Sequence, residues 1–264
     1  MVLKKIVKKI LAMGGYEIRR MVPPVVRPSL SPFPLYDQDS LRTTHNHDFM
    51  KDADFMAAYS RGVKADEDRQ WHWRVHVGLW AACNARMLEG DFVECGVNRG
   101  FLSSAIMRYL DWNTMDKHFY LYDTFRGIDE SLFNENELLQ GRVDFNRKMY
   151  SECYERAKEN FSEFKNVHLV RGSIPDTLNN VHIEKVCYLS IDMNCAKPEI
   201  ESATYFWDKL VPGAIVLLDD YAYVGFEEQH KAFGKFARDK GIKILSLPTG
   251  QGLFIKPATY KNQY

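Results

Sequence analysis

The sequence predicts an α/β fold, a mostly parallel sheet with helices on both faces, and three observations carry that prediction. Five apolar runs suited to buried strands, DFVECGV, HFYLYDTF, VHLVRGS, KVCYLSID and GAIVLLDDY, succeed one another between Asp91 and Tyr221. Runs that are apolar throughout mark strands covered on both faces. Helical patterns near 101–111, 151–163, 197–210 and 226–240 lie among and after them, the alternation that builds parallel crossovers. Two last runs, IKILSLP and GLFIKP, stand too close together for such a crossover and are expected to pair antiparallel at one end of the sheet.

The elements before the sheet follow from simpler patterns. In VLKKIVKKILA, residues Val2, Leu3, Ile6, Val7, Ile10 and Leu11 recur at helical spacing, with Lys4, Lys5, Lys8 and Lys9 on the other face. A basic amphipathic helix over 1–20 is predicted. Two readings of it stay open: contact of residues 2–12 with an anionic membrane surface, or packing on the domain or on a second subunit. No run reaches the roughly 20 apolar residues that span a bilayer, so the expected location is the cytoplasm, with at most a peripheral contact at the inner face of the membrane. Residues 21–36 hold five of the ten prolines, which blocks helix and central strand alike. A linker over 21–40 is expected, and a main domain over 41–264. That domain should open with a helical cap over 41–88, whose stretch WHWRVHVGLWAACNARML is apolar enough to be largely buried.

In an open α/β sheet a ligand sits beyond the carboxyl ends of the strands, so the residues that end each run matter most. The first run ends in Glu94-Cys95-Gly96-Val97-Asn98-Arg99-Gly100. Gly96 and Gly100 let the backbone turn closely against a ligand before Ser103 and Ser104 enter a helix, although glycine pairs also serve structural turns. Asp123 ends the second run, where a carboxylate can accept the ribose hydroxyl protons of an adenosine or cap a helix; beside the glycine loop, the nucleoside reading is favoured. Residues 127–150 are longer than an ordinary connection and read as a lid or substrate loop. Asp192 ends the fourth run and Asp219-Asp220 the fifth. Neighbouring parallel strands would bring these three carboxylates together. Mg²⁺, or another hard divalent cation, would relieve their repulsion and could acidify a substrate hydroxyl. The alternative is that they cap helices or pair with Lys197 or Arg238.

Other residues weigh less. His72 and His76 share a helix face without an acidic companion and read as structural. His230 is an alternative base, Tyr221, Tyr223 and Phe226 are candidates for an acceptor pocket, and Trp71, Trp73 and Trp80 read as core or interface. With 264 residues, 45% of them apolar, the chain can bury one sizeable core. Lysine plus arginine equals aspartate plus glutamate at 35 each, so no global field recruits nucleic acid. A small-molecule or glycan partner is expected instead. The five cysteines are scattered and form no CxxC pair, which fits a reducing compartment.

The blocks GDFVECGVNRG, YLYDTFRG, LVRGSIPDTL, YLSIDMN and VLLDDY, in this order and spacing, resemble the macrocin O-methyltransferase (TylF-like) family over roughly residues 60–256. The resemblance implies a Rossmann-like class I methyltransferase fold, with a seven-stranded sheet whose last strand is antiparallel. It also implies transfer of a methyl group from S-adenosylmethionine to a sugar or phenolic hydroxyl, with a divalent metal, usually Mg²⁺. By position, Glu94, Gly96, Asn98, Gly100 and Ser103 would line the methionine part of the cofactor, Asp123 would hold the ribose, and Thr124, Gly172 and Ser173 would lie near the adenine. Asp192, Asp219 and Asp220 match the metal ligands, with Asp192 also the proton acceptor. The chain departs from the family at Asn98, usually tryptophan, and at Asn194, Cys195 and Ala196, where many relatives continue with a second aspartate and then leucine-tyrosine. Tyr59 and Arg61 are the candidates for the cofactor carboxylate. The basic start of the chain is similar to enzymes of bacterial polysaccharide clusters, so the expected acceptor is a sugar-containing one, a polysaccharide or a glycosylated natural product. Many members are oligomers, which makes a homo-oligomer an expectation. A nicotinamide-dependent oxidoreductase on the same sheet and a non-catalytic membrane-tethered scaffold remain the alternatives.

Overall fold

The computed structural model describes residues 35–258. Residues 36–43 and those from 47 onward form one compact unit, to which everything below belongs, while residues 35 and 44–46 group apart from it. The amphipathic helix expected over 1–20, and with it the membrane contact of residues 2–12, lies outside the described residues.

The unit opens with a hairpin of β1 (Tyr36–Gln38) and β2 (Leu41–Thr43), followed by α1 (Ala53–Ala65) and α2 (His72–Ala85). Then come β3 (Asp91–Cys95), α3 (Phe101–Tyr109), β4 (Phe119–Asp123), the short helices α4 (Glu135–Leu139) and α5 (Arg142–Met149), α6 (Tyr154–Phe161) and β5 (Val167–Arg171). The chain finishes with β6 (Val186–Ile191), α7 (Ala196–Trp207), β7 (Leu210–Leu218), α8 (Glu227–Lys240), β8 (Leu245–Ser246) and β9 (Gly252–Ile255). Seven strands form one sheet in the order β5-β4-β3-β6-β7-β9-β8. Pairing is parallel from β5 to β7, and β9 alone runs against the rest, inserted between β7 and β8.

From β3 the chain moves outward through β4 and β5, then crosses back to β6 on the other side of β3. That reversal opens the crevice in which such sheets bind ligands. The two strand ends touch there: the Asp192 amide donates to the Cys95 carbonyl at 2.8 Å. Gly96 has φ +92°, and a Cβ on it would lie 1.7 Å from the Asp192 carbonyl oxygen. The sequence assigned this glycine to closeness with a ligand; strand packing demands it in any case. Behind the strand ends, Phe92 packs on Tyr188, Trp112 and Phe119 with ring centroids 5.0, 5.3 and 5.6 Å apart, the last two edge-on, an arrangement that aromatic quadrupoles favour.

Two expectations need correction. Residues 36–40 are not linker: Tyr36 is buried, its hydroxyl donates to the Gln70 carbonyl at 3.2 Å, and Asp39 and Ser40 make the hairpin turn at positive φ, which Asp tolerates better than most residues. The cap over 41–88 accordingly begins with a strand, and its helical part breaks at residues 66–71 between α1 and α2. Residues 127–150 form α4 and α5 with flanking turns, packed onto the domain through polar groups. Buried Glu137 accepts from the Asn134 amide at 2.9 Å and from the Ala196 amide, in the first turn of α7, at 2.8 Å. Arg142 donates to the Gly225 carbonyl and lies 3.8 Å over the Phe226 ring. Glu137→Ala would orphan two amides in this buried junction and is expected to cost about 2–4 kcal/mol. Urea unfolding checks this, and a loss below about 0.5 kcal/mol would mean the junction is not load-sharing.

Candidate active site

A cavity of about 410 Å³ opens at the carboxyl ends of β3, β4, β6 and β7, within the size range of small-molecule sites. Glu94, Gly96, Asn98, Asp123, Thr124, Gly172, Ser173, Asp192, Asp219 and Asp220 all line it. Of the residues predicted from sequence, Gly100 and Ser103 do not, nor do Tyr59, Arg61, Tyr221 and His230. Gly100 starts α3 at φ +89°, and a Cβ there would strike Phe161 at 2.3 Å. Ser103 is fully buried and donates to Glu94 at 2.5 Å, so it acts on the cavity only through that carboxyl group.

One end of the cavity is built by β4 and the glycine loop. Asp123 Oδ2 accepts from the Val97 and Asn98 amides, both at 2.6 Å, and Oδ1 accepts from the Phe125 amide at 2.6 Å. A carboxylate offers about four acceptor positions; the Thr124 hydroxyl also stands 3.4 Å from Oδ1 but has one proton, which the nearer Gly127 carbonyl takes, so roughly one position, on Oδ1, is left for a ligand. The Thr124 hydroxyl donates to the Gly127 carbonyl and ties the start of the insertion. Beyond the loop, Arg69, Trp71, Arg99 and Phe101 continue the wall. Arg99 pairs with Asp66 at 2.5 Å; Arg69 pairs through Nη2 with Glu67 at 2.6 Å and Asp66 at 3.5 Å, while its Nε is buried without a partner. Tyr59 and Arg61 are not part of this wall. Tyr59 donates to Asp68 at 2.7 Å and stacks on His72, and Arg61 is spent on Asn160 and Glu163.

The other end gathers carboxylates. Burial, reinforced by Asp219 and Asp220, pushes the Asp192 carboxyl well above the ordinary range, and burial beside Asp219 and Glu199 does the same to Asp220. Asp220 Oδ2 is buried without a partner. Asn194, where many family members have an acid, donates to Asp192 Oδ1 at 2.9 Å; an amide there orients Asp192 without adding another negative charge. Tyr150 also lines the cavity, and burial together with Asp192, Asp220, Asp123 and Asp219 holds its phenol above the ordinary value. Glu94 is buried and is pushed up to about 8, mainly by desolvation.

Asp219 differs from the other two. Arg74, on α2, donates to Asp219 Oδ2, and the Gln251 side chain donates to Oδ1 at 3.0 Å. The cation beside the cluster is therefore Arg74, not Lys197 or Arg238. Among the described residues, no three His, Cys, Asp or Glu side chains are gathered closely enough to hold a metal ion. The metal set expected from sequence, Asp192, Asp219 and Asp220, does not fit this geometry, because a buried guanidinium already satisfies Asp219.

The histidines are structural: His76 stacks on Phe49 at 4.0 Å and His72 on Tyr59 at 4.3 Å. The Nδ1 of His230 lies 2.9 Å from the Tyr221 carbonyl oxygen, and the residue is not among those that line the cavity, so it is no base for it. Tyr223, Phe226 and Trp71 are cavity walls, the last of these missed by the core reading. Arg74, Arg69 and Tyr150 were missed as well. Their only trace in sequence is a lone charge inside an apolar helix for Arg74.

Strand order, the single antiparallel strand and the crevice at β3 and β6 define the class I methyltransferase fold. The family model "Macrocin-O-methyltransferase (TylF)" matches residues 78–245, more than half of the chain, which therefore belongs to that family and is an O-methyltransferase. Membership removes the oxidoreductase and scaffold alternatives. Comparison with curated protein sequences gives no match. Among solved structures, the O-methyltransferase NovP matches with a TM-score of 0.62 at 20% identity, over 70% of this chain and 80% of that one. Two structures of CalS11 also match. One, described as calicheamicin methyltransferase, has a TM-score of 0.53 at 12% identity over 80% and 94%. The apo form, described as TDP-rhamnose 3′-O-methyltransferase, has a TM-score of 0.50 at 13% over 79% and 85%. At these identities the likeness is one of fold. No helix among the described residues is long and apolar enough to cross a membrane, and all five cysteines are free thiols.

Proposed function

We propose that the chain transfers a methyl group from S-adenosylmethionine to a hydroxyl of a sugar-containing acceptor. The observation that carries this reading is one cavity with a nucleoside-type carboxylate, Asp123, and a perturbed carboxylate, Asp192, at the ends of the two strands that flank β3. The cofactor fits the residues present. Asp123 keeps one acceptor position for a ribose hydroxyl, one fewer than the sequence led us to expect. Thr124, Gly172 and Ser173 wall the adenine side, Asn98 and Glu94 the methionine side, and the unpartnered Arg69 Nε suits a carboxylate. Bound there, S-adenosylmethionine supplies an electrophilic sulfonium methyl.

The chain supplies the rest. Asp192 takes the proton of the acceptor hydroxyl, and its raised pKa makes it a stronger base than an ordinary aspartate. Asn194 fixes its orientation. Trp71, Tyr150, Tyr223 and Phe226 offer flat faces to a sugar ring and exclude water, so alignment of the two reactants does most of the work. The description of CalS11 as a sugar O-methyltransferase supports this acceptor class. Mg²⁺ has no part in the mechanism, because Arg74 holds Asp219. We place the reaction in a reducing, cytoplasmic setting, in keeping with the free thiols.

Calorimetric titration with S-adenosylhomocysteine tests the cofactor. Micromolar binding is expected, weakened by about 10- to 100-fold in Asp123→Ala, the loss of one charge-assisted hydrogen bond and of the loop it pins. Absence of binding to folded wild-type protein would sink the proposal.

A further inference from the structure

Arg74 lies buried on α2 with its guanidinium in the carboxylate end of the cavity. Its Nε donates to Asp39 at 3.0 Å, its Nη1 donates to Asp219, and its guanidinium carbon sits 4.7 Å over the Tyr223 ring. Asp39 comes from the β1–β2 turn, so one side chain joins the start of the unit, the end of β7 and the acceptor wall. Burial opposes this charge, yet the carboxylates of Asp219, Asp39, Asp220 and Asp192 outweigh it and hold the guanidinium above its ordinary value. An arginine stays charged at any working pH. A divalent ion seeking Asp219 would have to break a buried ion pair and then sit beside the displaced cation, which costs it much of its attraction to the site.

We propose that Arg74 is the resident cation of the site: it holds Asp219, anchors the hairpin through Asp39, and supplies the positive charge that would otherwise come from a divalent metal. It is a positioning residue, acting on Asp192 and Asp220 through the field and through the fixed Asp219. The action on Asp192 as a base rests on the function proposed above; the exclusion of metal is a property of the protein alone.

Mn²⁺ binding to the full-length protein, followed by the electron paramagnetic resonance signal of the free ion, tests this without any acceptor. Wild-type protein should leave the free signal undiminished up to about 1 mM Mn²⁺, and Arg74→Lys should behave likewise. Arg74→Gln should bind at least about tenfold more tightly, and Asp219→Asn in that background should abolish the gain. Micromolar binding by the wild type would overturn the proposal, as would a folded Arg74→Gln that binds no better. The wild-type arm decides even where a variant fails to fold. Titration of the same samples with S-adenosylhomocysteine reports separately on the cofactor reading, so failure of one is distinguishable from failure of the other.

Discussion

Asp192→Asn is expected to lower turnover by about 10²- to 10⁴-fold, the range for removing a general base, while binding of S-adenosylhomocysteine changes by no more than a few-fold. The substitution keeps an oxygen to accept from Asn194 and relieves the repulsion from Asp219 and Asp220. Thermal stability should hold or rise. A purely structural Asp192 would show the opposite pattern: stability and cofactor binding would fall together, and turnover would follow them. The pH profile adds a second readout. Because the base must be ionised, the rate should rise with pH through a midpoint above the ordinary carboxylate range, and that limb should vanish in the variant. Retention of more than about a tenth of wild-type turnover would exclude Asp192 as the base.

The second large effect concerns stability. Glu94 titrates near 4.5 when unfolded and is pushed up to about 8 in the fold, chiefly by burial. Below pH 4.5 it is protonated in both states and imposes no penalty. As pH rises the unfolded chain ionises first, so the stability held by the neutral, buried form is lost progressively and is gone above the folded pKa; the Ser103 hydrogen bond opposes the shift but does not outweigh burial. The span corresponds to a loss on the order of 5 kcal/mol. Glu94→Gln keeps an acceptor for Ser103 and removes the ionisation. Its stability in urea should match wild type near pH 4 and exceed it by several kcal/mol near pH 9. Asp220 and Glu199, also raised, titrate in both proteins, while Asp192 feels the Glu94 charge and gains slightly from its removal, which adds to the difference at high pH. Parallel stability curves at the two pH values would show that Glu94 reaches solvent.

What the sequence reveals about this site depends on how far apart the partners lie along the chain. Asp123, Asp192, Asp219 and Asp220 are legible because each ends an apolar run, and strand alternation alone puts the ends of parallel strands together. The order β5-β4-β3-β6-β7 is not legible there, because alternation sets the direction of the strands and not which of them are neighbours. Arg74 is not legible as a site residue, because its partner Asp219 is 145 positions away and its one local mark, a lone charge inside an apolar helix, names no partner. Asp39 was hidden by its neighbours: the prolines before it read as linker, and only the fold shows that Tyr36 is buried and the turn aimed at the site. Tyr59 and Arg61 failed as cofactor contacts. Other partners take both side chains, Asp68 just past the end of α1 for Tyr59, and Asn160 and Glu163, 99 and 102 positions away, for Arg61, so the failure of Arg61 has the same long-range cause as that of Arg74. Gly96 was found, but for an incomplete reason, since closeness of β3 to β6 cannot be read from either strand alone.

The most direct test is a crystal structure of the protein with S-adenosylhomocysteine. Expected is a nucleoside whose ribose meets Asp123, whose carboxylate faces Arg69, and whose sulfur points toward Asp192 with Arg74 still on Asp219. A nucleoside bound away from Asp123, or a sulfur turned from Asp192, would contradict methyl transfer in this cavity.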